Sequence, residues 1–199
     1  ARVAAAALLG LTAAFYYARL GLTLSHYDAR GHLVVSRRVI DSITPGWQQV
    51  GAVWLPLPHL LNALPVQFDW FYRTGASGVA ISVLSFAAAT AALLWIINRV
   101  TGSWLAAGAG GLVFVLNPNV LYLQATPMTE PLLMALTLLS IALLMAFCDG
   151  VVRRERPADA APHDRPQVRS LTSPQQELPG QSRGPSAERH GHSWERPSG

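Results

Sequence analysis

The segment TGASGVAISVLSFAAATAALLWIIN, residues 74–98, contains no Asp, Glu, Lys or Arg. A helix needs about 20 apolar residues to cross the hydrocarbon core of a bilayer, which is roughly 30 Å thick, and this segment exceeds that length. The whole chain has the same character, because 51% of its 199 residues are hydrophobic and only 13% are charged. Soluble domains carry roughly 25% charged residues. The segment and the composition together argue against an ordinary soluble protein and predict membrane-spanning helices.

Three further segments without charged side chains occur at residues 3–18, 100–129 and 131–148. The first lengthens to residue 24 if Arg19 reaches the interface or faces other helices. A secretory signal peptide is the competing interpretation of this segment, but residues 15–19 do not form a small-residue cleavage site. We predict an all-α fold, a polytopic membrane helical bundle, whose spans are residues 3–24, 75–97, 103–121 and 131–148.

The placement of arginines predicts the orientation of this bundle. Arg99 lies in the short turn between the second and third spans, and residues 153, 154 and 156 after the fourth span are also arginines. Positively charged residues are enriched in cytoplasmic loops, so these ends and both termini are predicted to be cytoplasmic. The outer loop, residues 25–73, opposes this orientation because it holds four arginines, but charges in a long loop weigh less.

The outer loop is predicted to contain two or three short helices at the membrane interface. Within residues 28–43, small or apolar side chains recur at helical spacing, at Ala29, Leu33, Ser36, Ile40 and Ile43. Such a helix is expected to lie along the membrane surface with its apolar side facing the lipid. Aromatic residues gather just before the second span, which is typical of an interfacial belt.

Residues 151–199 differ in composition from residues 1–150. This tail is rich in Arg, Pro, Ser, Gln and Gly and shows no apolar periodicity. It buries too little apolar surface to offset the loss of chain entropy, so we predict that it is disordered. The chain therefore divides into a transmembrane region, 1–150, and a polar tail, 151–199. A truncation or a frameshift after about residue 150 would also produce this change in composition.

Asp28 follows the first span at the start of the predicted surface helix. A carboxylate there can act as a general base and remove the proton of an acceptor hydroxyl close to the lipid headgroups. The structural alternative is helix capping, because Ser25 and Asp28 have the spacing of a capping box and an acidic residue in a first turn suits the helix dipole. Spacing alone leaves both interpretations open.

Further candidates for binding a substrate lie in the two outer loops. Glu130, at the outer start of the fourth span, is either a first-turn acid or a residue that faces a polar cavity. His59 either donates a hydrogen bond to a phosphate or sugar or is a solvated polar side chain. Three arginines, Arg30, Arg37 and Arg38, carry the forked guanidinium group that binds phosphate. Their ligand is either the phosphate of a specific lipid or the ordinary anionic headgroups of the membrane.

Several functional motifs are absent from the sequence. There is no Walker loop, no dinucleotide-binding glycine fingerprint and no HExxH zinc motif, so a nucleotide-driven pump is not supported. The single cysteine, Cys148, excludes an internal disulfide. The arginines are scattered beside apolar runs, and we therefore expect no nucleic-acid partner despite the net charge of +4.

Four segments of the chain carry a family resemblance: residues 27–32, 44–47, 51–59 and 117–131. They resemble the N-terminal part of membrane glycosyltransferases of the GT-C fold, which use polyprenyl-phosphate sugars and include protein O-mannosyltransferases and bacterial aminoarabinose transferases. In that family an acid in the first outer loop is the catalytic base, which implies this role for Asp28. Interfacial helices close the active site, and an acid near the second outer loop, here Glu130, can line the cavity. The family often has two adjacent acids where this chain has Asp28 and Ala29, and its members have many more spans.

The resemblance implies transfer of one sugar from an undecaprenyl- or dolichyl-type phosphate to an acceptor glycan, lipid or protein. The expected location is the outer side of the bacterial inner membrane, with membrane lipids and the lipid-linked donor as partners. An arginine, or a divalent metal held partly by Glu130, would offset charge on the departing phosphate. The competing class is non-enzymatic: a transporter-like or flippase-like segment, or a scaffold fragment. Charges inside the spans would favour transport, but the second, third and fourth spans have none.

Overall fold

The computed structural model describes residues 2–51 and 54–155, and the regular secondary structure in this part of the chain is all helical, with no β-strand. Its α-helices are α1 (Arg2–Arg19), α2 (Tyr27–Arg38), α3 (Pro56–Ala63), α4 (Asp69–Thr74), α5 (Ala76–Thr101), α6 (Trp104–Val115), α7 (Pro118–Gln124) and α8 (Glu130–Glu155). Single 3-10 turns at Trp47–Gln49 and Pro65–Gln67 flank α3. The all-α class and the short helices within residues 25–73 are therefore confirmed.

Helix α5 is the central element and packs against α1, α6 and α8. Its buried positions are mostly small residues, which let neighbouring backbones approach closely; among them are Ser77, Gly78, Ser82, Ala89 and Ala92. Helix α5 and residues 130–152 of α8 are long and apolar enough to cross a membrane. The bent pair α6–α7 makes a third such element if it counts as one span.

Helix α1 ends five residues before the predicted limit of the first span, residue 24. Gly21 has a positive φ of 70°, and its N–H donates to Ala18 O while the N–H of Leu22 donates to Tyr17 O. This pair of bonds is a Schellman motif, which satisfies the last carbonyls and turns the chain out of the helix. The apolar run continues past Arg19, but the helix does not.

The predicted third span, residues 103–121, is interrupted in the structure. Helix α6 ends at Val115, and α7 begins at Pro118 after a bend of 64°. Pro118 has no N–H to continue a helix, and Asn117 Oδ1 accepts hydrogen bonds from the N–H groups of Asn119 (2.9 Å) and Val120 (3.3 Å). The side-chain cap and the proline start a new helix inside an uncharged run.

Helix α8 continues to Glu155, so the boundary predicted at residue 150 falls inside a helix. The predicted disorder of residues 151–199 is therefore wrong for residues 151–155, which are helical, and residues 156–199 lie outside the described residues. At this end of the bundle, Arg99 on α5 donates two hydrogen bonds to the carboxylate of Asp149 on α8, one of them 2.6 Å long. Because this pair joins two long helices, it holds their ends together.

The expectation that the apolar face of the first outer helix lies on lipid is corrected by the structure. Helix α2 ends at Arg38, and Ala29, Leu33 and Ser36 are buried within the protein, with α3 as the main neighbour. Ile40 and Ile43, which the periodicity placed on the same face, lie beyond the helix and are exposed. A stripe of small and apolar side chains predicts burial but does not identify what covers it.

Candidate functional site

The candidate site lies in the segment between α1 and α5, and Asp28 is in the first turn of α2 within this segment. The cap of this helix is His26, whose Nδ1 accepts a hydrogen bond from the N–H of Asp28 over 3.2 Å. The predicted cap, Ser25, instead donates to Leu22 O and shares a hydrogen bond with the hydroxyl of Tyr122, 3.0 Å away on α7. The capping box is therefore absent, and Ser25 ties the end of α1 to α7.

Asp28 is accessible in this arrangement, because its side chain is 46% exposed. The carboxylate lies 3.8 Å from His26 Nδ1. That nitrogen already accepts the N–H of Asp28, so no proton lies between them and the neutral imidazole does not donate to the acid. Asp28 is thus a carboxylate at a helix N-terminus that a substrate hydroxyl can approach.

One helical turn after Asp28, the side chain of His32 enters a buried pair with His59 of α3. His32 is 5% exposed and His59 is 1% exposed, and His32 Nδ1 lies 3.1 Å from His59 Nε2. His59 Nδ1 lies 2.8 Å from the carbonyl oxygen of Leu55. The ring of Trp54 packs edge-on against His32, with centroids 4.4 Å apart. His59 is therefore buried and not a solvated polar side chain, and both of its ring nitrogens face partners inside the protein instead of a phosphate or sugar.

Burial changes the acidity of both histidines. Desolvation, reinforced by His59, lowers the pKa of His32 to about 4, while the negative charge of Asp28 opposes this shift. Desolvation also lowers the pKa of His59, and the hydrogen bond to Leu55 O opposes it. Both imidazoles are therefore neutral at pH 7.

A small cavity of about 20 Å³ lies beside the histidine pair. Its polar lining comes from His32, Ser36, His59, Asn62 and Thr129. Asn62 is 4% exposed, and its Oδ1 has no hydrogen-bond partner. The volume suits one water molecule, which needs about 10–15 Å³ and several polar partners.

The arginines divide into two groups. Arg37 donates to the carboxylates of Asp41 (3.0 Å) and Asp69 (2.8 Å), and its guanidinium lies over the ring of Tyr72. The hydrogen bond from Arg37 lowers the pKa of Asp69. Arg37 is therefore committed to partners within the protein, whereas Arg38, at the end of α2, is exposed.

Arg30 and Arg73 meet at a cleft of about 240 Å³. Arg30 donates through Nε to Leu24 O over 2.7 Å, which fixes its stem, and Arg73 reaches the cleft from the last turn of α4. Tyr72 and three apolar side chains complete the lining. Two guanidinium groups around a cleft with apolar walls suit an anionic group attached to a hydrocarbon chain.

Glu130 is the first residue of α8, and its Oε2 atom is buried without a hydrogen-bond partner. The preceding loop packs on α5, where Ser82 Oγ donates to Thr126 O (2.9 Å) and Met128 O (3.2 Å). Thr129 of this loop lines the cavity beside the histidine pair. Within residues 2–51 and 54–155, no group of three or more His, Cys, Asp or Glu is placed to hold a metal. Glu130 as a metal ligand stays a prediction, and no step below depends on it.

Two residues of this site were missed by the sequence reasoning. His32 had a local signal, because it follows Asp28 by one helical turn, and residues four apart share a helix face. Arg73 had none, because its proximity to Arg30 depends on how α4 packs. Comparison with known proteins adds no assignment: no family model, no curated protein and no solved structure matches this chain.

Proposed function

We propose that this protein is a polytopic membrane glycosyltransferase of the GT-C type, which moves a sugar from a polyprenyl-phosphate carrier to an acceptor hydroxyl. The observation that carries the proposal is the accessible carboxylate of Asp28, in the first turn of α2 immediately after α1. The cleft between Arg30 and Arg73 gives further support, because it offers cationic groups next to an apolar lining.

The proposed reaction is a single displacement at the anomeric carbon. Asp28 takes the proton of the acceptor hydroxyl, whose oxygen forms a bond to the anomeric carbon. The bond from that carbon to the phosphate oxygen breaks, and the polyprenyl phosphate leaves with one more negative charge. Arg30 and Arg73 would offset that charge, since guanidinium groups bind phosphate through forked hydrogen bonds.

The proposed setting is the bacterial inner membrane, with α1, α5, the bent pair α6–α7 and α8 as the crossings. Helices α5 and α8 have the required length and hydrophobicity, and α1 is a shorter apolar helix. With Arg99 and the arginines at residues 153, 154 and 156 on the cytoplasmic side, α2–α4 lie at the outer surface. The lipid-linked donor would then reach Asp28 from the outer leaflet.

The test is reconstitution of the chain in liposomes that contain a synthetic polyprenyl-phosphate sugar, with a soluble glycan added as the acceptor. Liposomes without the protein are the control. The measured product is polyprenyl phosphate that has lost its sugar. A transferase releases this product and labels the acceptor, whereas a flippase moves the intact donor between leaflets. Movement of donor with no cleavage of the sugar–phosphate bond would refute the proposal and favour the transport alternative.

A further inference from the structure

The cleft between Arg30 and Arg73 has two walls that come from different helices. Helix α2 contributes Arg30, Leu33 and Val34, and α4 contributes Tyr72 and Arg73. A single phosphate group can accept hydrogen bonds from both guanidinium groups only if the two walls are the right distance apart. The affinity of the cleft for an anion therefore depends on how α4 is held against α2.

Helix α4 is too short to hold this position by itself. It has six residues, Asp69–Thr74, and isolated helices of this length are not stable in water. Gly75, which has a positive φ of 71°, ends α4 and separates it from α5, so α4 is not a continuation of the long helix. The position of α4 is therefore set by its tertiary contacts.

Arg37 makes two contacts with α4. Its Nη1 atom donates a hydrogen bond to Asp69 Oδ1 over 2.8 Å, and its guanidinium carbon lies 4.7 Å from the centroid of the Tyr72 ring. Asp69 and Tyr72 are three residues apart, so they share one face of α4. On α2, Arg37 lies seven residues after Arg30 and therefore on the same face of the helix. One side chain thus connects the cleft-lining face of α2 to both ends of α4.

The remaining contacts of Arg37 fix its own position. Its Nε atom donates to Asp41 Oδ2 over 3.0 Å, and this bond joins residues four apart without crossing to α4. Its backbone carbonyl oxygen accepts a hydrogen bond from Gln67 Nε2, in the turn just before α4. The Arg37 side chain is 24% exposed and does not line the cleft. Arg37 can therefore act on a ligand of the cleft only through α4.

We propose that Arg37 is a positioning residue, which holds α4 against α2 through Asp69 and Tyr72 and so places Arg73 opposite Arg30 for binding the phosphate of a prenyl phosphate. This inference rests on the proposed function, because it takes a prenyl phosphate as the ligand of the cleft. Arg30 and Arg73 contact the phosphate, whereas Arg37 and Asp69 do not touch the ligand.

Asp69 distinguishes positioning from a direct effect of charge. The residues that line the cleft do not include Asp69, and its carboxylate is negative like the ligand. By charge alone, removal of a nearby carboxylate would strengthen the binding of an anion. If Asp69 anchors α4 to Arg37, its removal weakens binding instead. The two mechanisms therefore predict opposite signs for Asp69→Asn.

The test is a titration with farnesyl phosphate, a short prenyl phosphate that carries no sugar. Binding to the full chain in micelles of a phosphorus-free detergent is followed by ³¹P NMR, and micelles without protein give the background. We expect Arg37→Gln to raise Kd by about 3- to 10-fold and Asp69→Asn to raise it by about 2- to 5-fold, because an ion pair, and in Arg37→Gln also a cation–π contact, is lost. The double variant should bind about as weakly as Arg37→Gln, since both substitutions break the same link.

The matched control is Arg99→Gln, which removes the arginine–aspartate pair at the other end of the bundle. It should lower the melting temperature but leave the Kd for farnesyl phosphate unchanged. The inference would be overturned by a folded Asp69→Asn protein that binds as tightly as the wild type or more tightly, by effects that add in the double variant, or by a wild-type chain that does not bind farnesyl phosphate above background. A chain that shows the expected order of affinities but cleaves no sugar–phosphate bond would refute the proposed function and support this inference.

Discussion

Substitution of Gly78 by alanine tests how closely α5 approaches the loop that precedes α8. A Cβ atom at this position would lie 2.4 Å from Pro127 Cβ and 3.1 Å from Pro127 Cα. Carbon atoms in contact are normally about 3.5–4.0 Å apart, so the loop must move by about 1 Å. That movement lengthens the hydrogen bonds from Ser82 Oγ to Thr126 O and Met128 O.

The expected cost follows from these contacts. Overpacking of a tight contact costs about 1–3 kcal/mol, and weakening of two hydrogen bonds adds about 1 kcal/mol. The higher helix propensity of alanine offsets about 1 kcal/mol of this cost. We therefore expect Gly78→Ala to lower the free energy of unfolding by about 1–3 kcal/mol.

In the assay, the purified protein is heated in detergent, and the fraction that stays folded is measured by size-exclusion chromatography after each heating step. The matched control is Gly108→Ala, because a Cβ atom at that helical position of α6 meets nothing within 4 Å. Gly108→Ala should be neutral or stabilising, while Gly78→Ala should melt at a lower temperature. A Gly78→Ala protein that is as stable as the control would refute the packing described for this loop.

Three further predictions concern stability and orientation. Burial lowers the pKa of His32 from 6.5 to about 4, so the unfolded chain binds more protons than the folded protein between these pH values. The contribution of His32 to the free energy of unfolding should be constant above pH 6.5 and should fall by about 1–3 kcal/mol as the pH is lowered to 4. Melting temperatures measured at each pH should show this loss, and the loss should be smaller in His32→Asn. Arg37→Gln should lower the melting temperature slightly at pH 7, and because Arg37 lowers the pKa of Asp69, the difference from wild type should shrink below about pH 4. In a Cys148→Ser background, an impermeant thiol reagent added to intact cells should label Gln48→Cys and spare Val100→Cys, and the reverse pattern would overturn the proposed topology.

The long helices were predictable because a long run without charged side chains is compatible with few structures other than an apolar helix. Residues 74–98 and 131–148 lack charged side chains, and they form most of α5 and α8. Hydropathy did not locate the helix ends, since the Schellman motif at Gly21 and the cap at Asn117 lie inside apolar sequence. Local hydrogen bonds of the backbone decide these ends, and average hydrophobicity does not detect them.

The site was predictable in part for a related reason. Asp28 was found from its position after the first predicted span, which is a property of the chain order. The bond between His32 and His59 joins residues 27 positions apart and exists only because α3 packs on α2. The cleft shared by Arg30 and Arg73 likewise depends on tertiary packing. Sequence patterns identify single residues by type and place, but pairs of this kind require the arrangement of the helices.

The most direct test of the account is the turnover of Asp28→Asn in reconstituted vesicles, with Asp41→Asn as the matched control. Both residues are exposed carboxylates of the same loop, but Asp41 pairs with Arg37 and lies beyond the end of α2, whereas Asp28 is in the first turn of that helix. Asparagine keeps the size of the side chain and still suits a helix N-terminus, but it does not accept the proton. We predict that Asp28→Asn lowers kcat by about 10²- to 10⁴-fold with donor binding and melting temperature retained, while Asp41→Asn transfers sugar at close to the wild-type rate. Near-normal turnover by a folded Asp28→Asn protein would contradict the account and leave Asp28 as a structural residue of the first turn.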